Sequence, residues 1–164
     1  MVALGKMTPI FDDDDALLSD EQEALLSDEE AALRARVQYR ESGIPSIGPD
    51  PRVVHLLGRD ERLLGVRETA VLRKIDVEDE AGTVLQEEGP LFATDQRLLQ
   101  LGDHVESIKL LDIDELTMAD DRILVTLTGS RGVTLDVPEP QQFRVLIAAA
   151  KAALRARTEA DRPL

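Results

Sequence analysis

The stretch RILVTLTGSRGVTLDV, residues 122–137, reads as two short strands joined by a tight turn. Successive residues of a strand point to opposite faces, so alternate residues across the pair can share one buried face. The residues that do so are Val125, Leu127, Val133, Leu135 and Val137. The segment GSRG at 129–132 supplies the turn, because glycine adopts backbone angles that other residues avoid. This stretch predicts a β-hairpin with one apolar face.

Further strand-like segments precede the hairpin, with turn residues between them. The first begins at Leu63 and is predicted to run for about twelve residues. An acidic loop is predicted at 78–89, with a short strand at TVLQ inside it. The next segments are LFAT, RLLQLG, VESIKLL and IDELTMA, which together cover most of residues 91–119.

The hairpin is followed by PEPQQFRVLIAAAKAALRAR, residues 138–157, which has the pattern of an amphipathic helix. Its apolar residues recur at helical spacing and form one stripe: Phe143, Leu146, Ile147, Ala150 and Leu154. Antiparallel strands followed by one such helix predict a mainly β fold, a bent sheet or barrel whose open end the helix covers.

The N-terminal part contains ALLSDEQEALLSDEEAALRARVQYR, residues 16–40. Ser19 with Gln22 and Ser27 with Glu30 each match a capping box, which predicts a short turn or helix at about 20–26 and a second helix at about 28–41. Leu26, Leu33 and Val37 share one face at helical spacing, and Leu33 and Val37 of the second helix are expected to be buried.

A linker with three prolines, GIPSIGPDP at 43–51, follows this helix. Asp50 and Pro51 then predict a short helix through Leu57. We therefore expect an acidic N-terminal extension and linker over 1–50, a β-rich domain over 51–157 and a tail over 158–164.

Two phrases between these elements resemble those of bacterial PH-like or GRAM-like domains, over about residues 60–157. In that family a phrase close to L-x-x-T-x-x-R-L-L-x-L joins two strands, and the matching residues here are Leu91, Thr94, Arg97, Leu98, Leu99 and Leu101. A short I-x-L-x-x-I strand pair follows, matched by Ile108, Leu110 and Ile113. The resemblance implies a seven-stranded sheet rolled into a barrel and capped by the C-terminal helix. It also implies a module that binds lipid head groups or proteins.

The chain departs from the phosphoinositide-binding members of that family, which have a loop rich in Lys and Arg between the first two strands. The corresponding loop here carries acids and no base: Asp76, Glu78, Asp79, Glu80, Glu87 and Glu88. Such a loop would repel phosphate.

Charge and composition exclude several classes of function. The net charge is −14, and residues 1–30 hold ten acids against one base. Nucleic acid and anionic membranes both require a cationic surface. There is no cysteine, so disulfides and thiol chemistry are excluded. No signal peptide and no membrane span are evident, and we expect a cytoplasmic protein.

Few residues suggest chemistry. Asp12, Asp14 and Glu23 match three positions of an EF-hand loop, but Leu17 stands where that loop needs glycine. The histidines, His55 and His104, lie far apart and are read as one surface and one boundary residue. The segment 94–97 is expected to form a turn in which Asp95 accepts backbone hydrogen bonds and Arg97 pairs with an acid. We expect no catalytic residues, no metal site and no cofactor.

The sequence thus favours a non-catalytic protein-interaction or assembly module that can self-associate. The alternatives are a peripheral lipid-binding domain and an uncharacterised enzyme. One hypothesis is that the acidic N-terminal segment docks on a basic flank of the C-terminal helix, of its own chain or of a neighbour. The alternative is that both charged surfaces face water. The proposed interaction residues are Asp12, Asp13, Asp14, Asp15, Asp20, Glu21 and Glu23 on one side and Arg144, Lys151 and Arg155 on the other.

Overall fold

The structure is a computed structural model that describes residues 12–78, 84–129 and 131–162, with side chains described for 22–75, 85–129 and 131–162. Two helices flank the strands: α1 spans Asp12–Ser42 and α2 spans Pro140–Ala160. The strands in chain order are β1 (Leu63–Glu78), β2 (Val84–Thr94), β3 (Arg97–Leu101), β4 (Val105–Lys109), β5 (Ile113–Ala119), β6 (Arg122–Leu127) and β7 (Arg131–Asp136).

All neighbouring strands are antiparallel and form one sheet in the order β4-β3-β2-β1-β7-β6-β5. The sheet is not closed by hydrogen bonds, because β4 and β5 are its two edges. A 3-10 helix, Leu110–Asp112, carries the chain from one edge to the other. The predicted mainly β fold with a C-terminal helix is confirmed, although the sheet bends without becoming a hydrogen-bonded barrel.

Helix α2 packs on one face of this sheet. The predicted apolar stripe is buried there: Phe143 and Ile147 have no exposed area, and Ala150 has 1%. The helix approaches β1 closely, because a Cβ on Gly65 would lie 2.7 Å from Leu146 Cδ2. The β6–β7 hairpin contributes to the same core, where Val125 pairs with Val133 and both are buried. Strand β7 begins at Arg131, inside the segment 129–132 predicted as the turn.

The first two strands are longer than expected. β1 covers 16 residues rather than about twelve, and β2 takes up the acidic stretch after Val84 that was predicted to be mostly loop. The strands pair from Leu63 with Thr94 to Glu78 with Val84. Backbone pairing continues there because the side chains can face water: Gln86 and Glu88 are exposed. Residues 79–83, including Asp79 and Glu80, lie outside the described part.

The N-terminal helix also differs from the prediction. α1 is one continuous helix over Asp12–Ser42, not a turn at 20–26 followed by a helix at 28–41. Ser27 therefore lies inside the helix and does not begin it. Residues 16–40 contain no glycine or proline and are rich in Ala, Leu and Glu, so helix propensity carries the backbone through both capping-box motifs. The division into an extension over 1–50 and a domain over 51–157 stays a prediction.

The linker covers the other face of the sheet, with an apolar cluster separate from that of α2. Val53 has no exposed area and packs with Leu63, Phe92 and Leu99. The predicted short helix at 50–57 is wrong: these residues form turns, in which Asp50 O accepts hydrogen bonds from the amides of residues 53 and 54 at 3.1 and 2.9 Å. Insertion of Val53 into the sheet surface fixes this segment, which is too short to favour a helix by itself.

Candidate functional site

Helix α1 is attached to the fold through one buried carboxylate. Asp28 is 5% exposed, and its two oxygens accept hydrogen bonds from the backbone amides of Gln141 and Gln142 at 2.9 and 3.1 Å. These amides lie in the first turn of α2, where no partner within the helix is available. Glu139, at the N-cap of α2, makes no capping hydrogen bond with its side chain. Asp28 of one helix thus caps the other, and its charge suits the positive end of the helix dipole.

A second contact lies beside this cap. The Arg67 guanidinium stacks on the Phe143 ring at 4.8 Å, and its Nε donates a hydrogen bond to Pro138 O at 2.9 Å. Burial, the largest influence, lowers the pKa of Arg67, while Glu139 and Asp28 act in the opposite direction. Burial also raises the pKa of Tyr39, which packs against the core. These contacts hold α1, β1 and α2 together around the start of α2.

The outer face of α1 carries an exposed apolar stripe. Leu26, Leu33 and Val37 are 56%, 59% and 50% exposed. Their spacing of seven and four residues places them within about 40° around the helix. The buried residues Asp28 and Ala32 lie on the opposite side. We call these three residues the outer stripe.

The prediction that Leu33 and Val37 would be buried is therefore wrong. The inner face of α1 is built from Asp28, alanines and Tyr39, because α1 packs close to α2. Small side chains let two helices approach, and the larger leucine and valine face away. The sequence pattern identified the apolar stripe correctly but not the side of the helix that the fold covers.

Charged residues line both sides of the outer stripe. Glu29 and Arg36 lie on one side, and Glu30 and Arg34 lie on the other. All four are exposed, and none forms an ion pair with another residue whose side chain the structure describes. The charge is divided along the helix: residues 12–30 contain ten acids and no base, and residues 31–42 contain three arginines and one glutamate.

The three predicted basic residues of α2 lie in one groove, together with Ile113 and Leu116. Lys151 donates its Nζ to Ile113 O. Arg144 is half-buried and donates to Gln141 Oε1 at 3.4 Å, and Arg155 is exposed. The structure thus places Arg144, Lys151 and Arg155 on one surface, which we call the basic groove.

The acidic segment is part of α1. Glu23 is exposed, and the side chains of Asp12, Asp13, Asp14, Asp15, Asp20 and Glu21 lie outside the described set. Asp28 contacts the first turn of α2, and Tyr39 and Ile44 line a groove with later residues such as Ala149 and Ala152. The two helices therefore run in the same direction. Residues before Asp28 extend past the start of α2, whereas Arg155 lies about 20 Å along α2 from that start.

Residues Thr94–Arg97 form the predicted turn between β2 and β3. Asp95 Oδ1 accepts a hydrogen bond from the Arg62 amide at 3.0 Å, and Arg97 Nε lies 3.0 Å from Glu61 Oε2. Burial would raise the pKa of Glu61, but hydrogen bonds from Arg97, Thr94 and the Gly58 amide together lower it. This network connects β2, β3 and the linker, and its polar groups form hydrogen bonds with one another.

No metal site is formed within the part of the chain that the structure describes, where no group of three His, Asp or Glu side chains converges. Asp12 and Glu23, which match EF-hand positions, lie in the continuous helix α1 rather than in a loop. His104 is exposed and pairs with Glu87 at 3.2 Å, and His55 is also exposed.

A cleft between β1, β4 and the β6–β7 turn is the candidate site for a lipid head group. Its charged residues alternate in sign rather than forming a cationic patch: Lys74, Glu106, Lys109, Asp112 and Arg131. Lys74 Nζ is already 3.0 Å from Glu106 Oε1. Among the helices of the described residues, none combines the length and apolar content needed to cross a membrane.

No protein-family model and no curated protein matches the chain. Several solved structures do. The N-terminal PH domain of Vps36 matches 63% of this chain and 86% of its own, with 14% identity and a TM-score of 0.45. The N-terminal PH domain of human ARAP2 matches 60% and 87%, with 15% identity and a TM-score of 0.37. The hSac2 domain of the human phosphoinositide phosphatase Sac2 matches 68% and 79%, with 13% identity and a TM-score of 0.35.

Identities this low concern the fold alone. The seven-stranded antiparallel sheet with a C-terminal helix is defined by its own strand order, and two of the similar structures are PH domains.

Proposed function

We propose that this chain is a cytoplasmic, non-catalytic protein-interaction module that binds its partner through the outer stripe of α1. The observation that carries this proposal is the exposure of Leu26, Leu33 and Val37 along one line of the helix. Isolated exposed leucines are ordinary, but an aligned apolar stripe bordered by charges has the form of a helix-binding surface.

Anchoring of α1 supports the same proposal. Asp28, Arg67 and Tyr39 hold the inner face against α2 and β1, so the outer stripe is presented on a fixed element. A fixed surface loses less conformational entropy on binding than a mobile arm does. The partner that fits it is an amphipathic helix with its own apolar stripe and flanking charges.

The basic groove is proposed as a second contact of this assembly. Its occupant is the acidic segment of a neighbouring copy, because α1 of the same chain carries residues 12–23 away from Arg155. Charge pairs at an exposed groove are screened by salt. Reversing Arg144, Lys151 and Arg155 to glutamate should weaken association at low salt and change little at high salt. An equal effect at both salt concentrations, measured by light scattering, would rule out this contact.

A lipid-binding role has less support. The cleft that would receive a head group contains both acidic and basic residues. Glu88, on the strand β2 that pairs with β1, is exposed. We expect no co-sedimentation with phosphatidylglycerol or phosphoinositide vesicles at physiological salt. Binding that is lost on Lys74→Glu/Lys109→Glu would place a lipid site in this cleft and favour the alternative.

The proposed function is tested by a photo-crosslinking residue placed at position 33 of the full chain, in extract of the cells that make the protein. The matched control carries the same residue at position 54, because Val54 is 52% exposed and is not part of α1. We expect a discrete protein adduct at position 33 that disappears in the Leu26→Glu/Val37→Glu background, and none at position 54. No adduct at position 33, with itself or with another protein, would overturn the proposal.

A further inference from the structure

We infer that the partner of the outer stripe is a second copy of this chain, bound through an antiparallel α1–α1 pair. This inference rests on the proposed function, since it names the occupant of the same surface. The outer stripe faces away from the sheet and from α2, so two copies can approach through it without contact between their bodies.

Charge complementarity fixes the orientation. The acids of α1 lie at residues 12–30 and its arginines at 34, 36 and 40. A parallel pair would place ten acids beside ten acids. An antiparallel pair places Glu23, Glu29 and Glu30 of each helix beside the arginine half of the other, which is favourable at both ends.

The apolar residues fit the same register. If the two-fold axis passes near residues 31 and 32, Leu26 of one copy meets Val37 of the partner, and Leu33 lies close to the axis beside the partner's Leu33. The stripe of each copy is then covered by an identical stripe, as an isologous interface requires.

The flanking charges are satisfied in this register. In an antiparallel pair each side of the stripe meets the same side of the partner. Glu29 then lies beside the partner's Arg36, and Glu30 lies beside the partner's Arg34. These four residues are exposed in the single chain.

The first test is the mass of the full-length protein by light scattering across a dilution series at low ionic strength. We expect a dimer that dissociates on dilution. Leu33→Glu/Val37→Glu should raise the dissociation constant by about 10- to 100-fold, because charged groups replace two apolar contacts in each copy. The matched control, Val54→Glu, should leave it unchanged. Circular dichroism confirms that each variant is folded, and a folded wild type that is monomeric at every concentration overturns the inference.

The second test distinguishes the two orientations. The chain has no cysteine, so single cysteines report contacts without background. Mixing the Leu26→Cys and Val37→Cys chains should give a disulfide-linked heterodimer, and Leu26→Cys alone should not cross-link. Efficient cross-linking of Leu26→Cys to itself would show a parallel pair and overturn the antiparallel arrangement.

The two proposals fail in different ways. A monomeric protein whose position 33 still cross-links to a different protein overturns self-pairing and leaves the proposed function intact. A monomeric protein without any adduct at position 33 overturns both.

Discussion

Both helices of this protein carry an apolar stripe at helical spacing, but the stripe is buried in α2 and exposed in α1. In α2 the apolar stripe that begins at Phe143 is buried under the sheet. In α1 the apolar stripe of Leu26, Leu33 and Val37 faces water, and the side packed on the fold is made of alanines and Asp28. Helical periodicity identifies a surface that is stabilised when it is covered, but it does not say what covers it.

The difference follows from what each helix packs against. The open sheet offers α2 a wide apolar surface, which large side chains fill. α1 packs against α2 and β1, where small side chains allow close approach. One carboxylate there accepts hydrogen bonds from amides that have no partner within α2. Whether a residue is buried thus depends on the shape of the neighbouring element as much as on the polarity of the residue.

The largest expected effect is on the buried stripe. Phe143→Ala should lower the free energy of unfolding by about 3–5 kcal/mol, because it removes a fully buried ring from the core and leaves a cavity. Urea denaturation at high dilution measures this. Ile147→Val, a milder change at the same stripe, should cost about 0.5–1.5 kcal/mol and guards against a variant that does not fold. Losses close to zero at both positions would mean that α2 is not the core helix.

The contact between the helices is expected to contribute less. Asp28→Ala should lower the free energy of unfolding by about 1–2 kcal/mol, because two amides at the start of α2 lose their acceptor. Hydrogen exchange at Gln141 and Gln142 should also speed up. Glu29→Ala is the matched control, since the next acid is exposed and its removal should change stability by less than about 0.5 kcal/mol in the dilute monomer. Equal effects at residues 28 and 29 would contradict the cap.

The contact between Asp28 and the start of α2 could not be predicted from local sequence, because 113 residues separate Asp28 from Gln141. An indirect signal did exist: the segment PEPQQ, which spans the start of α2, has no Ser, Thr, Asn or Asp to act as a cap. A helix that lacks a local cap requires an acceptor from elsewhere. By contrast, the hairpin at 122–137 and the stripe of α2 were predictable, because each has a clear periodicity and α2 follows directly on the strands that it packs against.

The candidate site was predictable only in part. The sequence identified the apolar residues of α1 and its charge division, and it placed Arg144, Lys151 and Arg155 along one helix. It placed the apolar face of α1 on the wrong side because the sheet has room for one helix with large side chains. Long-range packing decides that choice, and no local pattern in residues 16–40 records it.

Truncation separates the anchored part of α1 from the rest. Removing residues 1–26 leaves Asp28, Ala32 and Tyr39 in place, so the melting temperature of the dilute protein should fall by at most about 4 °C, the shift that about 1 kcal/mol gives for a chain of this size. Differential scanning calorimetry measures the shift. A fall of more than about 10 °C would mean that the acidic part of α1 is itself structural.

The smallest effect is expected on the outer stripe, and it tests the comparison most directly. Leu33 is 59% exposed, so Leu33→Gln removes little buried apolar area from the single chain. At dilutions where the protein is monomeric, its free energy of unfolding should change by less than about 0.5 kcal/mol. At high concentration the same variant should be less stable than the wild type, because only the wild type gains from association by mass action. Denaturation at both concentrations measures the two effects in one protein. A loss above about 1.5 kcal/mol in the dilute monomer would show that Leu33 is covered by its own chain, and the two helices would then follow the same rule.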